Sequence, residues 1–263
     1  MLKKLLKYDL EYVFKVLVVF YILAIFFAIL TRIFLNIDDS FILNIIGKIC
    51  NGTEIAMFFN ILINSIMRLW VRFKNNFYGD ESYLTHTLPV DKKTLYLSKT
   101  LSSIITLFVS MIIIAFSIFI SYYSKENIEI LKNLLLPFTD IYNTSMVSII
   151  LIFLFIFMLE VLSLLQSGYT GMILGHRMNN AKMGYSILFG FITYMIIQIL
   201  ALLILFIFAI FNKDIMNLFF TNQMVNIDIL KSIIYMSSIF YTIIIIVIYI
   251  INLKLFKKGV NVE

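Results

Sequence analysis

The chain alternates between long apolar stretches and short polar connections. Three uncharged runs, at residues 100–124, 183–212 and 232–253, each lie between flanking lysines. A fourth run covers residues 141–175 and is interrupted only by Glu160. The apolar core of a bilayer is about 30 Å thick, and roughly 20 mainly apolar helical residues cross it. All four runs are therefore predicted to be membrane-spanning helices.

Two shorter apolar runs precede these four. Residues 16–31 lie between Lys15 and Arg32, whose long side chains can reach the two membrane interfaces. Residues 55–67 are also too few to cross a bilayer core, so the Arg68 side chain must likewise reach a membrane interface. Just upstream, residues 41–50 are amphipathic, so they either lie on the outer surface or form the polar start of a long tilted helix.

The pattern as a whole predicts an all-α polytopic membrane protein with six transmembrane helices in a single domain, residues 1–263. The first residues are amphipathic, with leucines on one side and lysines elsewhere, which is typical of a helix in the membrane interface. The predicted elements are an interfacial helix at 1–12, spans at 13–34, 54–72, 100–123, 145–175, 183–212 and 231–253, and a cytoplasmic loop at 73–99.

The basic residues predict the orientation. Fifteen of the 21 lysines and arginines fall at the two termini, after the second span or between the fourth and fifth spans, and six fall on the other side. Because cytoplasmic connections carry the excess of lysine and arginine, both termini and the 73–99 loop are predicted to be cytoplasmic. The chain is rich in isoleucine, asparagine and lysine, which AT-rich codons specify. This composition favours a bacterial source, so the membrane is predicted to be a bacterial plasma membrane.

The composition supports this class. The chain is 62% hydrophobic with a mean hydropathy of +0.99, well above a soluble domain of this length. The net charge is +6, and the basic residues flank the apolar spans. Membrane topology therefore accounts for the positive charge, and no nucleic-acid partner is predicted. The single cysteine, Cys50, excludes a disulfide within the chain. His86 and His176 fall in predicted connections without nearby ligands, so we interpret both as ordinary loop residues and predict no metal site.

No catalytic constellation is present. The chain contains no H-E-x-x-H and no G-x-S-x-G, and Glu160 alone does not make a membrane-embedded protease or acyl transferase. It also contains no G-x-x-x-x-G-K-[ST] loop for nucleotide phosphates. We therefore predict neither an enzyme nor a catalytic residue in this chain.

The most polar stretch is YGDESYLTHTLPVDKKTLYLSK, residues 78–99. Pro89 disfavours helix at the residue before it, so a short helix is predicted to end at Leu88. Asp91 is a suitable N-cap for the helix that leads into the third span.

The short helix before Pro89 is predicted to carry an apolar ridge. Leu84 and Leu88 form the ridge, with Tyr83 and His86 beside it. These side chains have no lipid to contact, so they require either the protein's own cytoplasmic surface or another protein.

The segment DESYLTHTLPV (residues 80–90) and the following Ser98-Lys99 resemble the cytoplasmic loop of type-two ABC transporter permeases, the membrane subunits of bacterial exporters. Six spans, an amphipathic start and a basic C-terminal tail are further points of similarity. The resemblance implies that this loop docks on a separate ABC-type ATPase subunit. The residues that it assigns to docking are Asp80, Glu81, Tyr83, Leu84, His86, Leu88, Pro89, Lys92 and Lys93.

The resemblance also implies the partners. ATP and Mg²⁺ would bind the ATPase and not this chain, and the permease would pair as a homodimer or as a heterodimer with a second permease in the bilayer. The expected function is outward movement of a peptide, drug or lipid-like substrate, as in antimicrobial peptide resistance. The alternative is a membrane anchor or sensor scaffold that recruits a cytoplasmic partner without transport.

Polar and small residues inside the spans are further candidates for a pathway or interface. Glu160 is costly at mid-membrane, so it is expected to face the bundle or a cavity, or to hydrogen-bond to a neighbouring helix. Asn60 and Asn64 form a polar stripe that favours hydrogen bonds between helices over a pathway. Gly171 and Gly175 form a GxxxG pair that permits close helix packing, either within the chain or in a dimer.

Overall fold

The computed structural model describes residues 1–37, 41–212, 215–216 and 227–259. The described residues form eight α-helices: α1 (Leu2–Leu35), α2 (Phe41–Phe77), α3 (Ser82–Thr87), α4 (Lys92–Tyr122), α5 (Lys125–Tyr142), α6 (Met146–Gly175), α7 (Lys182–Phe211) and α8 (Ile227–Lys257). Six of these, all except α3 and α5, are long and apolar enough to cross a membrane. The predicted all-α class and six candidate spans are confirmed, which suggests a multi-pass membrane protein.

Helix α1 corrects the predicted separation of residues 1–12 from the first span. It runs unbroken from Leu2 to Leu35. The sequence between these residues contains no glycine or proline that would break or kink it. In addition, Asp9 is buried against neighbouring helices, so this first part of α1 packs on the protein.

Helix α2 distinguishes between the two interpretations of residues 41–50. These residues belong to one helix of 37 residues, Phe41–Phe77, and not to a separate surface piece. At 1.5 Å per residue this helix is about 55 Å long, nearly twice the thickness of a bilayer core. Its length provides both a span and polar extensions beyond it.

Helix α5 was not predicted, because its residues were assigned to a connection. Pro137 lies inside this helix. The helix forms because its apolar residues recur every three or four positions, at Ile128, Leu131, Leu135 and Phe138. Ile128 and Leu131 are exposed, Leu135 and Phe138 are half-buried, and the proline costs one interior hydrogen bond.

The chain divides into two compact units, Met1–Glu129 and a second that begins at Ile130. In the first unit, α1 packs against both α2 and α4. Hydroxyl groups link the three helices in the interior: Ser110 Oγ lies 2.8 Å from the Tyr21 hydroxyl and 2.9 Å from Ser65 Oγ. Small hydroxyl side chains on α4 permit this close packing while they satisfy each other's polar atoms.

In the second unit, α6 packs against both α7 and α8. The contact with α8 includes buried Asn252, whose Oδ1 accepts a 2.8 Å hydrogen bond from the Thr170 hydroxyl. The contact with α7 is made at glycines. A methyl group on Gly171 would lie 2.3 Å from the carbonyl oxygen of Ser186, so only glycine allows the backbones of these helices to approach this closely.

Candidate functional site

A buried charge network joins the three long helices of the first unit. Its centre is Asp9 on α1, which is 2% exposed. Lys99 Nζ on α4 donates a hydrogen bond to Asp9 Oδ1 at 2.5 Å, and Arg72 Nε on α2 donates to the same oxygen at 2.9 Å. Two cations from different helices thus share one carboxylate oxygen in an environment with little water, where removal of one partner leaves an uncompensated charge.

The network continues to the start of α3. Arg72 Nη1 donates to Glu81 Oε2 at 2.8 Å, and the Asn76 amide nitrogen also donates to that oxygen. The Asn76 oxygen in turn accepts from Lys99. With two basic and two acidic groups, the network is electrically balanced. Glu81 is the N-cap residue of α3, so the network connects this short helix to α1, α2 and α4.

The inner side of α3 is anchored to the end of α2. The His86 ring packs on Phe77 with 6.2 Å between ring centroids, and His86 Nε2 lies 3.2 Å from the carbonyl oxygen of Phe77. Tyr78, in the turn between the two helices, is buried. Helix α3 is only six residues long, too short to be stable alone, so these contacts hold it in place.

The outer side of α3 is apolar and exposed. Tyr83 and Leu84 are 72% and 74% exposed, and Leu88 is 40% exposed. Leu84, Leu88 and Pro89 also form one wall of a cleft of about 630 Å³, and the N-terminal turns of α1 line the same cleft. The charge network lies at its base, since Asp9, Arg72 and Lys99 contribute to the lining.

The structure places the predicted docking residues in three groups. Tyr83, Leu84, Leu88 and Pro89 are exposed on or just after α3, and Asp80 and Lys93 are exposed beside them. Lys92 is half-buried at the start of α4, and His86 is half-buried against α2. Glu81 is exposed at the start of α3, and its carboxylate is also held by Arg72 and Asn76.

The polar stripe on α2 does not link helices as expected. Asn60 Nδ2 donates to the carbonyl oxygen of Ala56 at 2.9 Å, and Asn64 Nδ2 donates to the carbonyl oxygen of Asn60 at 2.9 Å. Both amides thus bond back to their own helix. The two side chains are only half-buried, because this part of α2 lies on the surface of the first unit.

Glu160 also differs from its prediction. It is exposed on α6 and not enclosed by its bundle. It lies close enough to Tyr241 on α8 for its charge to act on the Tyr241 hydroxyl. In the described part of the chain, no lysine or arginine forms an ion pair with Glu160.

The GxxxG pair packs within the chain. Gly171 and Gly175 are buried, and methyl groups on them would meet Ser186 and Gly190 of α7. His176, which follows this pair, is fully buried and not a solvated loop residue. Its Nδ1 lies 2.9 Å from the carbonyl oxygen of Met172, so it ends α6 inside the bundle.

Two buried carboxylates were missed by the sequence interpretation. Asp9 gave a signal, because it lies within the leucine side of the N-terminal helix, where a charge needs a partner. Glu54 lies at the predicted start of the second span, so it was taken as a boundary residue. It is fully buried, and its Oε1 accepts a 2.6 Å hydrogen bond from Ser121 on α4.

The described residues contain no group of three or more histidine, cysteine, aspartate or glutamate side chains that could hold a metal ion. Comparison with models of protein families, with curated proteins and with solved structures finds no match. The geometry of α3 and its charge network therefore provides the basis for a functional proposal.

Proposed function

We propose that this chain is the membrane-spanning permease subunit of an ATP-driven exporter in a bacterial plasma membrane. It moves a peptide, drug or lipid-like substrate outward, and a separate ABC-type ATPase supplies the energy. Both termini and α3 face the cytoplasm, and a second permease, identical or related, completes the pathway. Helix α3 is the coupling element on which the ATPase acts.

The observation that carries this proposal is the contrast between the two sides of α3. Its inner side is bonded to α2 and to the buried network, whereas Tyr83, Leu84 and Leu88 project outward without cover. Exposed apolar groups on a well-anchored helix are typical of a protein–protein contact. Asp80 and Lys93 beside them provide charges that orient a partner.

The network also supports a role in coupling. A movement of α3 pulls on Glu81, and Arg72 links Glu81 to Asp9 and, through Asp9, to Lys99. The pairs of Asp9 with Arg72 and Lys99 are buried, so their separation is costly and α1, α2 and α4 are expected to move together. The partly exposed Arg72–Glu81 pair, in which the Glu81 side chain is 46% exposed, adds a weaker link from these helices to α3. A push on the cytoplasmic side is thereby transmitted to three candidate spans.

Leu84→Asp is expected to release the ATPase. The carboxylate would be buried without a cation at the centre of the docking surface, a change that weakens an interface by 10-fold or more. The measurement is purification of the tagged chain from native membranes, with the co-purified ATP-binding-cassette protein quantified by mass spectrometry.

Leu134→Asp is the matched control, because Leu134 on α5 is similarly exposed, at 66%, and lies on the predicted opposite side of the membrane. It should retain the ATPase. Equal retention by the two variants contradicts the docking assignment. Retention of the ATPase without ATP-dependent efflux from reconstituted vesicles favours the anchor or scaffold alternative.

A further inference from the structure

A second buried polar cluster lies in the first unit, away from the charge network around Asp9. Its centre is Glu54 on α2, which is fully buried. At 1.5 Å per residue, Glu54 lies about 27 Å along α2 from Arg72, so it belongs to a different level of the same three helices. A buried carboxylate in a membrane-spanning helix is costly, and its surroundings indicate what compensates it.

Two other helices meet α2 at Glu54. Its Oε1 accepts a 2.6 Å hydrogen bond from the Ser121 hydroxyl on α4, and the same Ser121 Oγ lies 3.4 Å from the carbonyl oxygen of Ala28 on α1. Thr31 lies one helical turn after Ala28, and Ser117 lies one turn before Ser121. Both are fully buried. The three helices thus place a carboxylate, hydroxyl groups and a backbone carbonyl oxygen next to one another.

Three oxygen atoms of this cluster are buried without a hydrogen-bond partner among the described residues: Glu54 Oε2, Thr31 Oγ1 and Ser117 Oγ. Thr31 Oγ1 is near enough to act on the Glu54 carboxyl, but it lies outside hydrogen-bond geometry. The single hydrogen of the Ser121 hydroxyl is donated to Glu54, so the lone pairs of this oxygen remain available. Buried polar atoms are normally paired, so several such oxygens in one cluster point to a ligand.

Glu54 has no cationic partner within the part of the chain that the structure describes. None of the ion pairs there includes it. The basic residue of α1 beside the cluster is Arg32, and its Nη1 donates to the carbonyl oxygens of Ile120 and Tyr123 at 3.2 and 2.6 Å. Because Arg32 is held at the end of α4, the charge of Glu54 is left for an ion from outside the chain.

The donor atoms define the kind of ion. All of them are oxygens, which suit hard cations, whereas softer metals prefer sulfur or imidazole nitrogen. The cluster contains one carboxylate, so it balances a single positive charge, and a divalent ion would leave an excess charge buried. Ala28 is fully buried in the packing of α1, which leaves room only for a small ion.

We propose that Glu54, Thr31, Ser117 and Ser121 form a site for a small monovalent cation, and that sodium is its occupant. The ion compensates the Glu54 carboxylate and holds α1, α2 and α4 together at the level of the membrane remote from the charge network. The site lies outside the docking surface on α3. It therefore goes beyond the proposed function and does not depend on it.

The test is thermal unfolding of the full chain in detergent at constant ionic strength, with sodium chloride replacing choline chloride. A cation that binds only the folded protein raises its melting temperature as the cation concentration increases. We expect sodium to raise the melting temperature of the wild-type chain. Equilibrium dialysis with radioactive sodium then gives the affinity directly.

Glu54→Gln should weaken sodium binding at least about 100-fold and remove the sodium-dependent rise in melting temperature. Even a residue that only orients a metal ligand contributes about 10- to 100-fold in affinity. Glutamine is neutral and similar in shape, so in choline chloride this variant should be at least as stable as the wild-type chain, which verifies that it folds. Glu160→Gln is the matched control, because Glu160 is an exposed carboxylate on α6 of the second unit. It should retain the full response to sodium.

Thr31→Val and Thr106→Val form a second matched pair. Both threonines are fully buried in the first unit, and neither hydroxyl has a hydrogen-bond partner among the described residues. Thr106, however, lies about 22 Å along α4 from Ser121. Thr31→Val should weaken sodium binding about 10-fold or more, and Thr106→Val should leave it unchanged.

The proposal is overturned by any of three results: no stabilisation by sodium relative to choline, an unchanged response to sodium in Glu54→Gln, or equal effects of the two threonine variants. Stronger stabilisation by calcium than by sodium would contradict a site for a single charge. A stability that depends on pH and not on sodium, and that loses this dependence in Glu54→Gln, would assign the carboxyl to a bound proton. No ATPase is present in this assay, so its outcome is independent of docking at α3.

Discussion

Gly171→Ala is expected to lower the free energy of unfolding of the protein by about 3 kcal/mol or more. The new methyl group would lie 2.3 Å from the carbonyl oxygen of Ser186 and 2.5 Å from the backbone nitrogen of Gly190. Both are backbone atoms, so no side chain can rotate away, and α6 and α7 must separate. Overpacking of this kind costs about 1–3 kcal/mol where side chains can adjust, and more where they cannot.

Gly184→Ala is the matched control for this experiment. Gly184 lies in the first turn of α7, and a methyl group there would meet nothing within 4 Å. Its expected effect is neutral or slightly stabilising, because alanine restricts the unfolded chain more than glycine does. The comparison is made by thermal unfolding in detergent, followed by size-exclusion chromatography. Equal melting temperatures for the two variants would show that α6 and α7 do not pack through Gly171.

Asp9→Ala is expected to destabilise the protein by about 3–5 kcal/mol, the usual cost of breaking a buried ion pair. The substitution removes the oxygen that Lys99 and Arg72 share. Arg72 retains Glu81, but Lys99 is then left with a buried charge and no carboxylate at hydrogen-bonding distance. The measurement is again the melting temperature in detergent.

Two further variants identify the source of this effect. Glu11→Ala removes an exposed carboxylate on the same helix, 3.6 Å from Lys7, and should cost less than about 1 kcal/mol. Lys99→Met combined with Asp9→Ala should recover part of the lost stability, because it removes the uncompensated cation. If Asp9→Ala is as mild as Glu11→Ala, the buried network does not hold α1 to α4.

The long helices could be predicted from the sequence for a simple physical reason. A bilayer core requires about 20 apolar residues, so uncharged runs such as residues 183–212 identify spans without any knowledge of packing. Pro89 likewise fixed the end of the short helix, since the residue before a proline avoids helical geometry. In the structure α3 ends at Thr87, and Leu88 is extended.

The site was harder to predict from the sequence, because it depends on which residues of different helices contact each other. Asp9 and Lys99 are 90 positions apart, and no local pattern pairs them. Glu81 is exposed, as its polar neighbours in the sequence indicate, but only the structure shows that Arg72 of the preceding helix binds it. Gly171 permitted two interpretations, and only the position of α7 showed that it packs within the chain.

Amphipathic segments between the spans were harder to assign. Residues 41–50 and 125–142 both have apolar positions at helical spacing, but only the first was interpreted as a helix, and the second was assigned to a connection. Helical spacing proved the stronger signal. Neither segment could be placed relative to a membrane from its pattern alone.

The side of the membrane that α3 faces tests the central claim most directly. In a Cys50→Ser background, single substitutions Leu84→Cys and Leu134→Cys are introduced at exposed positions on α3 and α5, and each chain is expressed without an ATPase partner. A membrane-impermeant maleimide is then applied to intact cells and to inside-out vesicles. The account predicts that Leu84→Cys reacts only in the vesicles and Leu134→Cys only in the cells. Reaction of Leu84→Cys in intact cells would place α3 outside, beyond the reach of any cytoplasmic ATPase, and would contradict the account.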